Sequence, residues 1–394
     1  MSGFRLVLVT RRFWPMIGGA ETVMASLAAR FQARGHHTTI VTARWQADWP
    51  IEVEHHGVRV VRIANATQRY WGTWQYMRGL SRWLARHRPQ FDLAYVSMLK
   101  HDAYVSVKSG CVARFPVVLR AECSGESGDC RWQETANFGR VIRSRCRGAT
   151  ALVAISPEIR QELIGSGYAR DKIVEIRNGV QPRPARQAGR QAEARAALAS
   201  GNPALKLGTM TPLAVYTGRL NTVKDLATLV ASWPSVLKSH ADARLWIVGE
   251  GPERGALEAQ IARLRLRGHV VLTGAFDNVD EVLAAADLFV LPSREEGMSL
   301  SLLEAMAHGL PVVVSDIAAS RNVVVPGKQG LLVPPGSSDE LASAICTVLA
   351  QPGLAAQLGA AARDRVSRDF SLEASDDRHL ELFKALIRPA RNPS

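Results

Sequence analysis

The sequence predicts an α/β protein with two doubly wound, parallel-sheet domains. Its short runs of Val, Ile and Leu are apolar at every position, as in strands that are buried on both faces of a parallel sheet. Longer segments with a helical period separate these runs, which is typical of folds in which a helix connects each strand to the next. A chain of 394 residues is also too long for one hydrophobic core, and at roughly 150 residues per domain it suggests two or three domains.

The predicted strands form an N-terminal and a C-terminal group. The N-terminal strands are Arg5–Thr10, Thr38–Thr42, Leu93–Ser97, Val117–Arg120 and Leu152–Ile155. The C-terminal strands are Ala214–Thr217, Arg244–Val248, Val270–Thr273, Leu288–Leu291 and Val312–Val314. Residues 181–212 are rich in Pro, Gly, Arg and Ala, and the strand rhythm lapses there. We therefore expect one domain over residues 1–180, a linker with a short helix over residues 181–212, and a second domain over residues 213–370. The amphipathic segment Ser371–Ile387 predicts a last helix.

Composition excludes several classes of protein. With 47% hydrophobic and 22% charged residues, the chain is close to a globular average, so neither disorder nor a fibrous repeat is expected. No apolar run approaches the ~20 residues of a membrane-spanning helix, and Leu6–Val9 is too short for a signal peptide. The five cysteines include no C-x-x-C pair, which argues against a disulfide framework and a zinc knuckle. We therefore expect a cytoplasmic protein.

The positive charge is concentrated in the first half of the chain. Residues 1–180 contain 26 Lys and Arg against 14 Asp and Glu, whereas residues 181–394 contain 23 against 22. An Arg-rich genome would raise the positive charge of both halves alike. The asymmetry favours a first domain that faces a polyanion or an anionic membrane surface, with compositional accident as the alternative.

Two glutamates flank a predicted helix start near the carboxyl end of a strand. Glu296 lies on the loop that follows Leu288–Leu291, and Glu304 lies on a helix that begins near Ser299 and ends near His308. Between them, a helix N-terminus offers backbone amides to an anion, from Gly297, Met298, Ser299 and Leu300. Two carboxylates around an amide cluster suit a nucleotide sugar, which has hydroxyls at both ends and phosphate between. The alternative is that Glu304 is an ordinary helix residue and that Glu296 is a solvated loop residue, as is common for two glutamates at this spacing.

Two cations and a glycine turn follow neighbouring predicted strands. Arg219 and Lys224 come directly after Ala214–Thr217, and Gly249 opens a tight turn after Leu245–Val248. Ligands of open α/β sheets bind outside the carboxyl ends of the strands, where these loops are expected to converge. Arg219 and Lys224 are therefore candidates to neutralise a diphosphate, although such cations are more often surface residues.

At these motifs the chain resembles glycosyltransferase family 4, which comprises retaining enzymes of the GT-B fold. The spacing Glu296-x7-Glu304, followed by AMAHGLPVVVSD, and the segment TGRL with Lys224 match the family pattern. Further matching segments are FWPMIGGAETVMASLAARFQARGHHTTIVT (13–42), VAISPEIR (153–160), RNGV (177–180), VGEGPER (248–254), TGAF (273–276) and GLLVPPG (330–336). The resemblance covers nearly the whole chain in the correct order.

The resemblance implies two Rossmann-like domains that face an interdomain cleft, with the last helix, about residues 371–394, crossing back to the first domain. It implies that the first domain binds the acceptor and that the second binds the nucleotide sugar. It implies that Arg219 and Lys224 bind the donor diphosphate, that Glu304 binds the ribose hydroxyls and that Glu296 holds a hydroxyl of the transferred sugar. The amides of residues 297–300 and the turn at Gly249 would complete the donor site. Phe276 would contact the base through its backbone, and Gly18 and Gly19 would meet the donor phosphates from the first domain.

The chain departs from the family pattern at two positions. Many relatives carry a histidine after the strand that corresponds to Val117–Arg120, whereas here Glu122 is the nearest polar group that could act in catalysis. The alternative for Glu122 is a structural role in the following glycine-rich loop. Relatives also commonly carry a glutamate where Asn322 stands, and that change alters either sugar contacts or only a local helix cap.

The implied reaction is a transfer with retention at the anomeric carbon, from a UDP- or GDP-linked sugar and without a cofactor. No Asp-x-Asp occurs in the sequence, so we expect no metal at the diphosphate, which Arg219, Lys224 and the helix N-terminus would stabilise instead. The ten histidines are scattered, and His55-His56 is expected in a surface turn.

The expected acceptor is a saccharide or a polyprenyl-linked saccharide in the synthesis of a surface polysaccharide or glycolipid, and no nucleic acid partner is expected. Segment 69–88 carries Trp71, Trp74 and Trp83 among five arginines, and it suggests an interfacial anchor, a sugar-stacking platform or ordinary packing. With Arg140, Arg143, Arg145 and Arg147, this segment predicts peripheral attachment to the inner face of the cytoplasmic membrane. The alternatives are transfer to a soluble small molecule and a nucleotide-sugar-binding protein with impaired catalysis. A dinucleotide-dependent oxidoreductase is a weaker alternative, because no G-x-G-x-x-G motif follows the first strand.

Overall fold

The computed structural model of the protein describes residues 3–16, 18–66 and 68–387. These residues form two compact units, which are described separately. Unit 1 contains the chain up to Asn178 and the segment that begins at Glu373, and unit 2 is Gly179–Leu372. Each unit is built on one mainly parallel sheet with connecting helices, so the predicted α/β class is confirmed.

Unit 1 is an eight-stranded α/β unit. Its elements are β1 (Arg5–Val9), α1 (Gly19–Ala33), β2 (His37–Arg44), β3 (Glu52–His55), β4 (Val58–Ala64), α2 (Arg69–Arg86), β5 (Leu93–Ser97), α3 (His101–Ala113), β6 (Val117–Ala121), α4 (Asp129–Thr135), α5 (Gly139–Cys146), β7 (Ala151–Ala154), α6 (Pro157–Gly165) and β8 (Ile173–Glu175). The strand order is β3-β4-β2-β1-β5-β6-β7-β8. Every residue of β5 and β6 is buried, as expected of strands with both faces covered.

The sequence analysis missed the hairpin formed by β3 and β4. β3 is short, alternates exposed and half-buried residues, and pairs antiparallel to β4 at the edge of the sheet, so it lacks the continuous apolar run of a central strand. His56 and Gly57 connect the two strands with φ of 50° and 75°. Positive φ at both residues is the requirement of the two-residue turns that join hairpin strands. The expected surface turn is therefore present at His56, while His55 ends β3.

Unit 2 is a six-stranded α/β unit. Its elements are α7 (Ala188–Gly201), β9 (Leu213–Thr217), α8 (Leu226–Ser239), β10 (Arg244–Val248), α9 (Arg254–Arg263), β11 (Val270–Gly274), α10 (Asp280–Ala285), β12 (Leu288–Leu291), α11 (Leu300–Ala307), β13 (Val312–Ser315), α12 (Ala318–Val323), β14 (Gly330–Val333), α13 (Ser338–Ala350) and α14 (Pro352–Asp369). The strands lie in the order β11-β10-β9-β12-β13-β14 and are parallel throughout. The direction in which the chain adds strands to the sheet reverses between β9 and β12.

Much of the predicted linker, residues 181–212, is a packed part of unit 2. Within it, α7 lies against α10. Arg195 pairs with Asp287 at 2.8 Å, and the Gln191 amide donates to the other Asp287 oxygen at 2.7 Å. These contacts are nearly a hundred residues apart in sequence, which is why composition alone indicated only a linker around a short helix.

The last helix, α15 (Leu372–Ile387), completes the core of unit 1. Asp376 forms a two-pronged ion pair with Arg30 of α1, at 2.6 and 2.7 Å. The Tyr95 hydroxyl donates to His379 Nε2 at 2.9 Å, because His379 Nδ1 already donates to the Ser375 carbonyl at 2.7 Å. Phe383 is fully buried. The helix predicted over Ser371–Ile387 is present, and residues 388–394 lie outside the described part of the chain.

Among the described residues, no single helix is both long and apolar enough to cross a membrane. One consecutive pair, α13 and α14, reaches that length and apolarity together, but the two helices are bent by 101° at the break between them.

Candidate active site

The loop between β12 and α11 forms the centre of the candidate donor site. The Ser299 hydroxyl accepts a hydrogen bond from the Leu302 amide, which caps α11 at its N-terminus. Gly309, at φ 69°, ends the helix in the left-handed conformation that glycine adopts easily. The helix predicted from about Ser299 to His308 is thus confirmed. Gly297, Met298 and Ser299 are buried where the loop enters the helix, and Leu300 is half-buried.

Glu296 and Lys224 form an ion pair across two loops. Lys224 Nζ donates to Glu296 Oε1 at 2.5 Å, and the Ser293 hydroxyl donates to the same oxygen at 2.7 Å. The Glu296 and Lys224 side chains are only 9% and 19% exposed. The sequence indicated both residues as site candidates but gave no signal that they pair with each other. Lys224 can therefore meet a phosphate only by sharing or leaving Glu296.

Arg219 lies on the loop after β9, and its backbone is held in place. Its carbonyl accepts a hydrogen bond from the buried Tyr216 hydroxyl at 3.0 Å and another from the Asn221 amide at 3.2 Å. The Arg219 side chain is half-buried, and it makes no hydrogen bond or ion pair to another described residue. A fixed backbone with an unengaged guanidinium suits a residue that receives an anion.

Gly249 brings three strand ends together. A Cβ at this position would lie 1.9 Å from the Gly218 carbonyl oxygen, and its φ of 139° also excludes most side chains. The Gly249 amide donates to the Gly274 carbonyl at 2.8 Å, and the Gly218 amide donates to Val248 at 2.9 Å. The loops after β9, β10 and β11 therefore approach each other as the motifs predict. Phe276 follows on the loop after β11 and is half-buried.

Glu304 is a partly buried carboxyl group on α11 that has no hydrogen-bond partner among the described residues. Burial, and then the nearby negative charge of Asp280, raise its pKa to about 7. Asp280 accepts from Arg183 at 2.6 and 2.7 Å and pairs with His308 Nε2 at 3.0 Å. An unpaired carboxyl group of this kind is suited to accept hydrogen bonds from ligand hydroxyls.

The sequence analysis missed the Arg183–Asp280–His308 cluster beside Glu304. Arg183 lies in the segment that was interpreted as a linker, 97 residues before its partner. One signal was available, because His308 follows Glu304 by one helical turn and such residues are neighbours on a helix surface.

The remaining predicted site residues, Gly18, Gly19 and Glu122, belong to unit 1. Gly18 precedes the first turn of α1, and among the described residues a Cβ at Gly19 would meet no atom within 4 Å.

Glu122 is buried after β6 in a polar cluster of unit 1. It accepts from the fully buried Arg120 guanidinium and from the Ser97 hydroxyl at 2.7 Å, and Arg120 also donates to Asn178. This pairing gives Glu122 a structural task, because the Arg120 charge would otherwise be buried alone. Its predicted part in catalysis stays a prediction.

Sequence comparisons identify the family. The sequence profile of glycosyl transferases group 1 matches residues 211–351, and that of glycosyltransferase family 4 matches residues 17–183. The glycogen synthase of Mycobacterium tuberculosis is 30% identical over 311 residues, which are 78% of this chain and 71% of that protein. The chain belongs to glycosyltransferase family 4.

A second relative supports the relationship in sequence, and a solved structure supports it in fold. The lipopolysaccharide core biosynthesis glycosyltransferase LpsD of Rhizobium meliloti is 31% identical over 59% of this chain and 63% of its own length. The crystal structure of Anabaena HepE in complex with UDP and glucose superposes with a TM-score of 0.80 at 21% identity and covers 97% of this chain and 100% of that one. The predicted GT-B fold is confirmed, and the protein is a glycosyltransferase.

At one position that departs from the family 4 pattern, the contact that the structure shows is made by the backbone. Asn322 is half-buried on α12, and its carbonyl accepts a hydrogen bond from Arg365 of α14 at 3.1 Å. Within the three described stretches of this family 4 chain, no group of three or more His, Cys, Asp or Glu side chains is placed to hold a metal ion.

Proposed function

We propose that the protein is a retaining glycosyltransferase that transfers a sugar from a nucleotide-sugar donor to a saccharide or lipid-linked acceptor in the synthesis of a surface polysaccharide or glycolipid. The observation that carries the proposal is the set of charged groups on the segments that follow the adjacent strands β9 and β12, with Arg219, Lys224 and Glu296 on loops and Glu304 on α11. Open α/β sheets bind ligands at such switch points. The names of the mycobacterial and rhizobial relatives support polysaccharide or glycolipid synthesis.

In this proposal each charged group receives one part of the donor. Arg219 takes the diphosphate with its unengaged guanidinium, and Lys224 joins it when the phosphate competes with Glu296. Glu304 accepts hydrogen bonds from the ribose hydroxyls. Glu296, released from Lys224, turns to a hydroxyl of the transferred sugar. The amides at the start of α11 add positive potential near the distal phosphate.

The proposed chemistry needs neither a metal nor a separate base. The acceptor oxygen bonds to the anomeric carbon from the face that the leaving group occupies, while the bond from that carbon to the phosphate oxygen breaks. The departing diphosphate takes the acceptor proton, and Arg219, Lys224 and the helix N-terminus stabilise its charge. Preorganised donors of this kind are worth about 3–4 kcal/mol each in transition-state stabilisation.

Hydrolysis of UDP-, GDP- and ADP-linked sugars by the purified protein, followed by NMR, tests the proposal. We expect one donor to be consumed, the released sugar to keep the anomeric configuration of the donor, and full turnover in excess EDTA. Inversion would contradict the retaining mechanism. Loss of turnover in EDTA with recovery in magnesium would contradict metal independence. Donor binding without any turnover, with or without added saccharides, would favour a binding protein with impaired catalysis.

We also propose that unit 1 attaches peripherally to an anionic membrane surface through α2. Trp71 and Trp74 are 54% and 47% exposed, and their rings stack with centroids 4.8 Å apart, so ordinary packing does not explain them. Arg78 lies over the Trp74 ring at 5.2 Å, and Arg82 and Arg86 are exposed at the following one-turn intervals. These three arginines are called the α2 basic face. Exposed tryptophans beside arginines are typical of helices that lie in a membrane interface.

Several other arginines of unit 1 support the fold. Arg88 donates to the carbonyls of Phe91, Ala113 and Arg114, so its neutralisation would disturb the packing of the unit. Arg147 donates to the Ser166 carbonyl at 2.7 Å, and Arg143 pairs with a glutamate of α4. A test of membrane attachment is therefore best restricted to the α2 basic face.

A further inference from the structure

The carboxyl edge of the unit 1 sheet has the topology of a binding site. β2 lies on one side of β1 and β5 lies on the other. The direction in which the chain adds strands to the sheet therefore reverses between β1 and β5. Crevices at such switch points are where open α/β sheets bind ligands. The loops after β1, β2 and β5 therefore contain the residues to consider.

Two arginines and a tryptophan follow β1 and β2. The guanidinium carbons of Arg11 and Arg12 lie 5.6 and 5.7 Å from the Trp45 ring centroid, and the Trp45 indole N–H donates to the Arg11 carbonyl at 2.9 Å. Arg11 is also held by Thr73 and Asn65, at 2.9 and 3.1 Å. Arg12 is exposed, and within the described residues it pairs with no carboxylate.

A second cation follows β5, and it lies beside a second tryptophan on α4, the helix after β6. Lys100 Nζ lies 5.5 Å from the Trp132 ring centroid, and the His101 ring meets the same indole edge-on at 5.4 Å. Burial, and then the charges of Arg11 and Lys100, lower the pKa of His101 to about 4, so the imidazole is neutral at physiological pH. Among the described side chains, Lys100 has no ion-pair partner.

The carboxylates described near this edge form no ion pair with Arg12 or Lys100. Asp129 is buried and accepts from the amides of Leu99 and Glu122 at 3.0 and 2.8 Å. Glu122 is paired with Arg120. Asp102 is buried near Arg11 and Lys100, and burial raises its pKa to about 6 although both positive charges act to lower it. Within the described residues, Arg12 and Lys100 therefore form no ion pair with a carboxylate, and each lies beside an aromatic ring.

We propose that the acceptor is an anionic saccharide, whose phosphate or carboxylate is received at this edge of unit 1 by Arg12 and Lys100. This inference rests on the proposed function and adds to it the chemical class of the acceptor. Cations of this kind form strong charge-assisted hydrogen bonds with carboxylates and phosphates. Trp45 and Trp132 offer apolar faces for the sugar ring, because aromatic side chains combine apolar area with a defined geometry.

The test measures binding of glucose, glucuronate, glucose 6-phosphate and inorganic phosphate to the full-length protein by saturation-transfer NMR. We expect at least one anionic sugar to bind about tenfold more tightly than glucose at low ionic strength, as a charge-assisted contact would give. Comparison of glucuronate with glucose 6-phosphate then distinguishes a carboxylate from a phosphate. The advantage over glucose should shrink as salt screens the charges.

Variants assign the effect to the two cations. Arg12→Gln and Lys100→Gln should each remove most of the preference for the anionic sugar and leave glucose binding unchanged. Lys108→Gln is the matched control, because Lys108 is an exposed lysine of α3, the helix that begins directly after Lys100, and within the described chain it has no partner. It should retain the preference.

Three outcomes would overturn the inference. They are equal binding of glucose and the anionic sugars, a preference that survives in both variants, and inorganic phosphate binding as tightly as the sugar phosphate. UDP binding, measured on the same samples, separates this failure from that of the proposed function. If UDP binds while the anionic preference is absent, only the inference fails. If wild-type protein binds no nucleoside diphosphate, the proposed donor site fails.

Discussion

Replacing Glu296 by Gln should weaken the fold and strengthen nucleotide binding at the same time. In the structure Glu296 holds Lys224 at 2.5 Å, and the two side chains are 9% and 19% exposed. Breaking a fully buried ion pair costs about 3–5 kcal/mol and breaking an exposed one about 0–1 kcal/mol. This pair lies between those limits, so we expect the free energy of unfolding to fall by about 2 kcal/mol.

Nucleotide binding should change in the opposite direction. In Glu296→Gln the ammonium group of Lys224 no longer has to leave a carboxylate, and no carboxylate at position 296 repels the diphosphate. We expect UDP to bind about five- to tenfold more tightly, which corresponds to roughly 1–1.4 kcal/mol. Turnover should nevertheless fall, because the proposed contact to the transferred sugar is weakened.

Urea unfolding and calorimetric titration with UDP measure the two effects. Lys224→Gln and the double variant complete a cycle, in which the double variant should be less destabilised than the two single variants together. Glu193→Gln is the control, because Glu193 is exposed on α7 and pairs with no other described residue. Weaker UDP binding in Glu296→Gln, or unchanged stability, would refute the competition between carboxylate and phosphate for Lys224.

Further predictions concern the other groups of the two units. Arg219→Ala should weaken UDP binding in calorimetry by about 1.5–3 kcal/mol, as expected for a charged hydrogen bond. Arg263 is an exposed arginine of α9, and the control variant Arg263→Ala should bind UDP like wild type. The raised pKa of Glu304 means that the folded state holds its proton more tightly, so wild type should lose up to about 3 kcal/mol of stability as the pH rises from about 4.5 through 7. Glu304→Gln should lack this loss in urea unfolding, and parallel pH profiles would contradict the assignment. Wild type should sediment with phosphatidylglycerol vesicles at low salt but not with neutral ones, and replacing the α2 basic face by Gln should leave it in the supernatant with UDP binding intact. Equal sedimentation of both proteins would exclude a role for that face.

The parts of the structure that were predicted from the sequence are those with a local signal. The continuous apolar runs located the central strands, because burial on both faces leaves every position apolar. The helix of Glu304 was predicted with its start and end because Ser299 and Gly309 are recognisable caps.

The parts that were missed depend on contacts between distant residues. Lys224 and Glu296 are 72 residues apart, and no local pattern shows that they pair. β3 has four residues, of which only Val53 is apolar, so it lacks the continuous apolar run by which the central strands were recognised. Arg88 was grouped with membrane-facing arginines because a helical run of arginines does not show which guanidinium is held by backbone carbonyls.

The position of α15 has a consequence for how the chain reaches its folded state. Unit 1 is synthesised first, yet Phe383, His379 and Asp376 complete its interior from the opposite end of the chain. During translation on the ribosome, the N-terminal unit therefore lacks the residue that packs against Phe31 and Tyr95 until all of unit 2 has emerged. The unit that is made first is finished last.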